Sequence, residues 1–223
     1  MVGGAALRLY SESEEVGSIT VIGRRPTGVS HPKVIEVLHS DFENYAAVGE
    51  HLAGHDVALF CLGVYTGAVP DDEFRRITVD YTVAFARALR ERSPGAAFCF
   101  LSGQGADPKE QSRVAFARYK GIAENALLQM GFERLHIFRP GYIYPVEKRR
   151  EPNLAYRVMR ALYPIGRHIY LNVGLTSEEL AAAMVHAGLH GTPNHADRVL
   201  ENRDIRRMVA GLRLGESNAG SRV

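Results

Sequence analysis

Two stretches decide the fold: Ser18-Ile-Thr-Val-Ile-Gly-Arg-Arg-Pro26 and Asp56-Val-Ala-Leu-Phe-Cys-Leu-Gly63. Each is a short run of apolar residues, rich in β-branched or aromatic side chains, that stops abruptly at a glycine. Their centres are continuously apolar rather than alternating, the pattern of strands covered on both faces. Lys33–Leu38, Ala96–Leu101 and Arg134–Phe138 read the same way. Between these runs lie helical stretches over Asp41–Ala53, Pro70–Arg92 and Lys109–Met130. The second opens with Pro70-Asp-Asp-Glu, a proline and acids suited to the positive end of a helix. Short buried strands alternating with long helices form βαβ units. The predicted fold class is therefore α/β, a doubly wound parallel sheet.

Composition narrows the function classes. The chain has 223 residues, 46% of them apolar, with 27 basic and 25 acidic side chains for a net charge of +2. That length suits one large domain with a sizeable core. Balanced charge without a basic block excludes a dedicated nucleic-acid binder. Cys61 and Cys99 lie inside apolar runs and form neither a disulfide framework nor a zinc site. They read as buried thiols, and the expected compartment is the cytoplasm. No run of about 18 apolar residues is present, so no membrane span is expected. Met1-Val-Gly-Gly also lacks the basic start and apolar segment of a signal peptide.

From Tyr142 the character changes. Arg149-Arg-Glu-Pro-Asn is a polar connection, followed by helical segments at Leu154–Tyr163 and Ser177–Leu189. A short strand at Arg198–Glu201 and a helix at Ile205–Leu212 come next, then a small polar tail from Gly215. The expected division is a parallel-sheet domain over 1–145, a smaller helical region over 146–214 and a flexible tail over 215–223; the resemblance described below implies dinucleotide binding for the first and a substrate-side place for the second.

Open parallel sheets bind ligands at the carboxyl ends of their strands. After the first strand stand Arg24 and Arg25, where a dinucleotide site faces the adenosine ribose. Forked guanidinium donors there suit a 2′-phosphate, although two solvated arginines would read the same. After the second come Asp41 and Phe42, an acid and an aromatic placed for an adenine edge and face. Asp41 also suits a helix N-cap. After the third comes Gly63-Val-Tyr-Thr66-Gly67, a turn open to close backbone approach. Ser102 ends the fourth and can hydrogen-bond a substrate oxygen. Arg139-Pro140-Gly141-Tyr-Ile143 ends the fifth.

These marks together resemble the atypical and extended short-chain dehydrogenase/reductase superfamily, near its nucleotide-sugar-epimerase-like and NmrA-like branches. GRRP, HSDF, the glycine turn after DVALFCL, the serine after AFCFL, KGxxE and FRPG run in family order over roughly residues 1–145. The resemblance implies a Rossmann-like domain with a small C-terminal helical region. It implies NADP rather than NAD, held by Val2, Gly3, Arg24, Arg25, Asp41, Phe42, Leu62, Gly63, Thr66, Lys120, Pro140, Gly141 and Ile143. Ser102 would polarise a substrate oxygen, and Lys120 would hold the nicotinamide ribose. Pairing of the long helix with its mate in a second copy would give a homodimer.

Two departures stand out. The family carries a strand and a GxxGxxG turn before its first helix. Here Met1-Val2-Gly3-Gly4 looks like the tail of that motif, with Ala5–Tyr10 as the helix after it. Leaving several backbone groups of a central strand unpaired, at about 1–3 kcal/mol each, would rival a domain's stability of about 5–15 kcal/mol. The expectation is that Met1 is internal and that the functional protein begins upstream. The alternative is a shortened, cofactor-free remnant. The second departure is Phe116, which occupies the place of the usual tyrosine four residues before the lysine. Loss of a positioned acid forfeits about 10²–10⁴ in rate. Tyr119 diverges by about 100° around the helix, while Tyr65, Tyr142 and Tyr144 lie on loops.

Remaining signals read as structure. His186, His190 and His195 sit near Gly188, Gly191 and Pro193, which break the element, so a solvated helix end is expected and no metal. Lys148-Arg-Arg reads as a solvated loop, and Val79, Tyr81, Phe85 and Leu89 as core. The expected function is an NADP-preferring oxidoreductase or epimerase-like protein acting on a small carbonyl or alcohol. The alternative is a non-catalytic NADP(H)-binding regulator.

Overall fold

The computed structural model describes residues 1–146, 174–192 and 198–220. The helix expected at Leu154–Tyr163, the Lys148 run and His195 lie outside the described residues. The chain opens with helix α1 (Val2–Glu12), followed by strands β1 (Ile19–Gly23) and β2 (Val34–Leu38). After a 3₁₀ helix (Ala46–Leu52) come β3 (Val57–Phe60), α2 (Asp71–Arg75) and a π-helical turn (Arg76–Asp80). Helix α3 (Tyr81–Arg92), β4 (Ala97–Leu101), α4 (Ala115–Gln129) and β5 (Leu135–Arg139) complete the alternation. The last part holds β6 (Tyr142–Tyr144), β7 (Gly174–Thr176), α5 (Ser177–His190), β8 (Val199–Glu201) and α6 (Asn202–Gly220).

Among the described residues every strand pairing is parallel. The ladders nevertheless fall into separate blocks: β1-β2, β3-β4-β5-β8 and the small pair β6-β7. Strand β4 is the centre of the largest block, and Ala97, Phe98, Cys99 and Phe100 are fully buried. Helices cover both faces. Residues of α1, α5 and α6 pack with Cys99 and Phe138 on one side. Residues of α3 and α4 pack with Phe98, Phe100 and Ile137 on the other. Covered faces explain the continuous apolar runs. Both cysteines are free thiols.

The five long strands fall within two residues of their expected bounds; the helices differ more. Asp41–Ala53 is not an α-helix. Asp41 Oδ1 accepts from Glu43 N at 3.1 Å and Asn44 Oδ1 accepts from Ala46 N at 2.9 Å, so local side chains capture the donors a helix would use. Only the 3₁₀ helix follows. Residues 109–114 are likewise withheld from α4. The Asp107 carboxylate accepts from the backbone N–H groups of Lys109, Gln111 and Ser112 at 2.9, 2.9 and 2.8 Å, and these bonds hold it below the usual carboxylate range.

Pro70 sits at the cap of α2 rather than inside it. The final helix starts three residues early and runs to Gly220, past the expected tail boundary at Gly215. Gly188 does not break α5 but lies inside it. A β-carbon there would come within 2.6 Å of Val57 Cγ1 and 2.9 Å of the Tyr10 hydroxyl, so glycine is what lets α5 pack close. Helix α5 begins in a reciprocal capping box, Thr176 Oγ1 accepting from Glu179 N at 3.1 Å while Thr176 N donates to Glu179 Oε2 at 2.8 Å.

Candidate functional site

The C-terminal ends of β1, β3, β4 and β5 carry the residues singled out from sequence. Ser102 sits one residue past β4, its backbone N–H donating to Phe138 O at 2.9 Å. Its buried hydroxyl donates to Glu124 of α4. Lys120 is one helical turn before Glu124 and is also buried. Its Nζ donates to Leu101 O at 2.8 Å and stands 4.7 Å from the Phe100 ring centroid. Burial lowers its pKa from 10.5 to about 8. Ser102 and Lys120 therefore lie at the same strand end.

Glu124, which holds Ser102, is itself held by Arg139. Arg139 Nε donates to both Glu124 oxygens at 3.0 and 3.1 Å, its Nη2 pairs with Oε2, and its Nη1 reaches Glu201 at 2.9 Å. These carboxylates hold the guanidinium charged. The Glu124 side chain is only 2% exposed, and a buried carboxylate needs such a partner. Both residues belong to the motifs KGxxE and FRPG. Opposite charges at a strand end and one turn beyond a buried lysine were the available signal.

Phe116 lies across Gly103: a β-carbon at Gly103 would fall 2.5 Å from Phe116 Cζ. The ring thus covers the loop that carries Ser102 and supplies no proton. Tyr119 turns away, its hydroxyl donating to Asp71 Oδ2 at 2.6 Å and accepting from Arg118 Nη2 at 3.3 Å. Pro140 O accepts from Gln104 N at 2.9 Å, and Gly141 N donates to Asn202 Oδ1 at 2.9 Å. Those bonds tie the β5 exit to the β4 exit and α6. Ile143 is half-buried in β6, opposite Leu175.

On the other side, Arg24 and Arg25 are exposed beyond β1, and Thr66 is exposed in the turn after β3. Leu62 is half-buried and Gly63 exposed. Asp41 is exposed and anchors its turn through the contact with Glu43 N. Phe42 corrects the expectation of an adenine-facing ring. It is 4% exposed and packs against His39, Tyr45 and Tyr81 at centroid distances of 5.9, 6.3 and 5.6 Å. An aromatic after a strand gains more from burial than from solvent exposure. Val2 is buried at the start of α1, and Gly3 packs against Cys61, its would-be β-carbon 3.4 Å from Cys61 Cβ.

No side chain caps the first turn of α1. His186 and His190 have ring centroids 4.8 Å apart, and His190 stands 3.7 Å from Glu15. Among the described residues no group of three His, Cys, Asp or Glu is placed to hold a metal. No described helix is long and apolar enough to cross a membrane.

No protein-family profile matches the chain. HTATIP2 of Rattus norvegicus is 32% identical over 127 residues, covering 56% of this chain and 51% of the rat protein. The chain thus matches about half the length of that relative. Protein fmp52-2, mitochondrial, of Aspergillus oryzae is 23% identical over 211 residues, covering 93% of this chain and 92% of its own. Among solved structures, Bordetella bronchiseptica WbmG in complex with NAD aligns with a TM-score of 0.62 at 11% identity, covering 90% of this chain and 68% of that one.

A Saccharomyces cerevisiae short-chain dehydrogenase/reductase gives 0.60 at 14% identity, covering 91% and 92%. Likeness at such identities shows the fold alone, a Rossmann-like parallel α/β fold shared with proteins described as short-chain dehydrogenases/reductases. In the fold, the resemblance carried by the strand-end motifs is borne out. The compartment is not. Several fungal relatives are named mitochondrial, which overturns the cytoplasmic expectation. Two free thiols do not separate one compartment from another.

Proposed function

We propose that the chain is a nicotinamide-dinucleotide-binding protein of the oxidoreductase type that favours NADP(H) and acts on a small carbonyl or alcohol. The observation that carries this reading is the exposed pair Arg24 and Arg25 at the carboxyl end of β1. Planar guanidinium forks there match a phosphate dianion, where a carboxylate would repel it. The other donors fit the same group. The uncapped N-terminus of α1, at Val2 and Gly3, offers free N–H groups suited to a pyrophosphate. Lys120 and the Pro140–Ile143 segment would line the nicotinamide end. The dinucleotide, when bound, supplies the hydride. Lys120 would hold the ribose, and Ser102 would orient a substrate oxygen once its hydroxyl leaves Glu124.

NADPH and NADH titrations followed by nicotinamide fluorescence test this. Replacing both Arg24 and Arg25 by alanine should weaken NADPH binding at least tenfold and leave NADH within about threefold. Each charge-assisted phosphate bond contributes about 1.5–3 kcal/mol when desolvated. Equal losses for both cofactors would sink the NADP preference.

A second reading, a cofactor-bound regulator without turnover, is favoured by one cluster of observations. Phe116 covers Gly103, and the Ser102 hydroxyl is already committed to Glu124. Phe116→Tyr separates the two. A rise of about 10²-fold in carbonyl reduction marks a site otherwise assembled for catalysis. Unchanged silence from a cofactor-bound variant marks a regulator.

A further inference from the structure

Around the turn from β1 to β2, the charges of Arg24, Arg25 and Glu36 can be paired in more than one way. Arg24 and Arg25 follow the last residue of β1 and are exposed. Among the described residues neither guanidinium is held by a hydrogen bond or an ion pair. Glu36 lies in β2, in register with Val21 of β1, and is exposed as well. Lys33, the remaining strong cation of this connection, is engaged elsewhere, donating to Ser13 O at 2.6 Å. The turn doubles back at once, so that a β-carbon on Gly23 would stand 3.6 Å from Arg25 O. It brings Thr27 against Glu36. Thr27 N donates to Glu36 Oε1 at 2.6 Å, and the Thr27 hydroxyl donates to the same oxygen. That hydroxyl also accepts from Val29 N at 3.1 Å, which fixes its direction. The hydroxyl, and after it the N–H, hold the Glu36 carboxyl below the usual carboxylate range.

A carboxylate in this place is the natural rival of a phosphate. Two and three residues of extended chain span at most about 7 and 11 Å, so both guanidiniums are within side-chain reach of the point where Thr27 meets Glu36. A guanidinium fork fits a carboxylate as well as a phosphate. A released Glu36 would compete for both forks at the high effective concentration of a tethered group. We propose that Thr27 is a positioning residue that sets the preference for a 2′-phosphorylated dinucleotide: it sequesters Glu36 and so keeps Arg24 and Arg25 open to the anion. This role rests on the NADP(H) reading of the two arginines and adds the residue that protects them.

The balance of energies explains why the threonine wins the carboxylate. An exposed ion pair gains little over water and must order two long side chains. Thr27 offers two short donors already fixed by the turn, so little further ordering is needed. Serine would supply the same two donors. Valine keeps the β-branched shape and the backbone N–H but lacks the hydroxyl. Glutamine at position 36 removes the rival charge altogether and makes the clasp dispensable, which would not be so if Thr27 served only to shape the turn.

NADPH and NADH titrations by nicotinamide fluorescence test this on the unmodified chain, on Thr27→Val, Thr27→Ser and Glu36→Gln, and on the Thr27→Val/Glu36→Gln pair. Thr27→Val should weaken NADPH about three- to fivefold at low salt and leave NADH unchanged, the size expected of an exposed competing ion pair. Thr27→Ser should match the unmodified chain, and the double variant should recover its NADPH affinity. Proton NMR gives a readout that needs no cofactor. Contacts of the Glu36 γ-protons should pass from the Thr27 methyl group to the δ-protons of Arg24 or Arg25 in Thr27→Val. A preference for NADPH that Thr27→Val leaves untouched overturns this role alone. So does a loss that Glu36→Gln does not restore, or a Glu36 that stays clear of both arginines. Equal affinity for the two cofactors in the unmodified chain overturns the NADP(H) reading and this role together.

Discussion

The block β3-β4-β5-β8 and the pair β1-β2 are built from similarly apolar strands, yet they end in different states. In the block, Phe98, Phe100, Ile137 and Phe138 are fully buried between two helical layers. In the pair, every residue of β1 is only half-buried, and Leu38 of β2 is 61% exposed. The pair is held instead from one side, by Phe42, Tyr45, Val48 and Leu52 packing against Tyr81 and Phe85 of α3. Buried Ser93 adds a clasp by accepting from His55 N at 2.9 Å and donating to Leu52 O at 2.8 Å. Burial depends on neighbours as much as on sequence. A strand with partners on both edges and helices on both faces closes, whereas the same kind of strand beside a gap does not.

The difference can be broken most sharply at the charged clamp of the closed block. Arg139→Met should cost about 3–5 kcal/mol, because it leaves the buried Glu124 carboxylate without its partner. Adding Glu124→Gln should recover much of that. Urea unfolding of the single and double variants checks it, and a loss below about 1 kcal/mol would mean that the clamp is solvated.

The next comparison sets one apolar truncation in each region. Phe98→Ala should lose about 3–5 kcal/mol, whereas Ile22→Ala, on half-buried β1, should lose about 1 kcal/mol because little is buried there. Equal losses would erase the distinction between closed and open halves.

A smaller effect concerns the charge stored under the closed block. Burial lowers the Lys120 pKa from 10.5 to about 8. Below pH 8 the amine is protonated in both folded and unfolded chains, and the fold carries the whole desolvation penalty. Between about pH 8 and 10.5 the folded state sheds the proton first, so stability rises with pH by about 1–3 kcal/mol. Lys120→Met should flatten that rise, as read from urea midpoints at pH 7 and pH 10.

The five long strands were legible because a strand buried on both faces needs a continuous apolar run, and such runs are visible in one dimension. Ser102 and Lys120 were legible from their place after a strand and on the long helix. The Ser102 partner Glu124 and the guanidinium that pairs with it were not. Glu124 and Arg139 stand 15 residues apart and meet only because α4 returns its chain beside the end of β5. The inward turn of Phe42 was equally hidden, since an aromatic after a strand looks the same whether it faces a ligand or Tyr81. Asp41 and Asp107 show the reverse failure. Their side chains captured backbone donors within a few residues and cut two expected helices short, a local competition that apolar periodicity does not register.

By itself the sequence determined the α/β alternation, the parallel class of the sheet, the place of Ser102 after a strand and the presence of Phe116 four residues before Lys120. These are properties of residue type and order along the chain. Only the tertiary structure decided that Ser102 is committed to Glu124, that Phe116 lies over Gly103, and that the sheet is interrupted between β1 and β3. Each of those depends on backbone and side-chain groups that are distant in sequence, and satisfying or stranding such groups is a property of packing rather than of order.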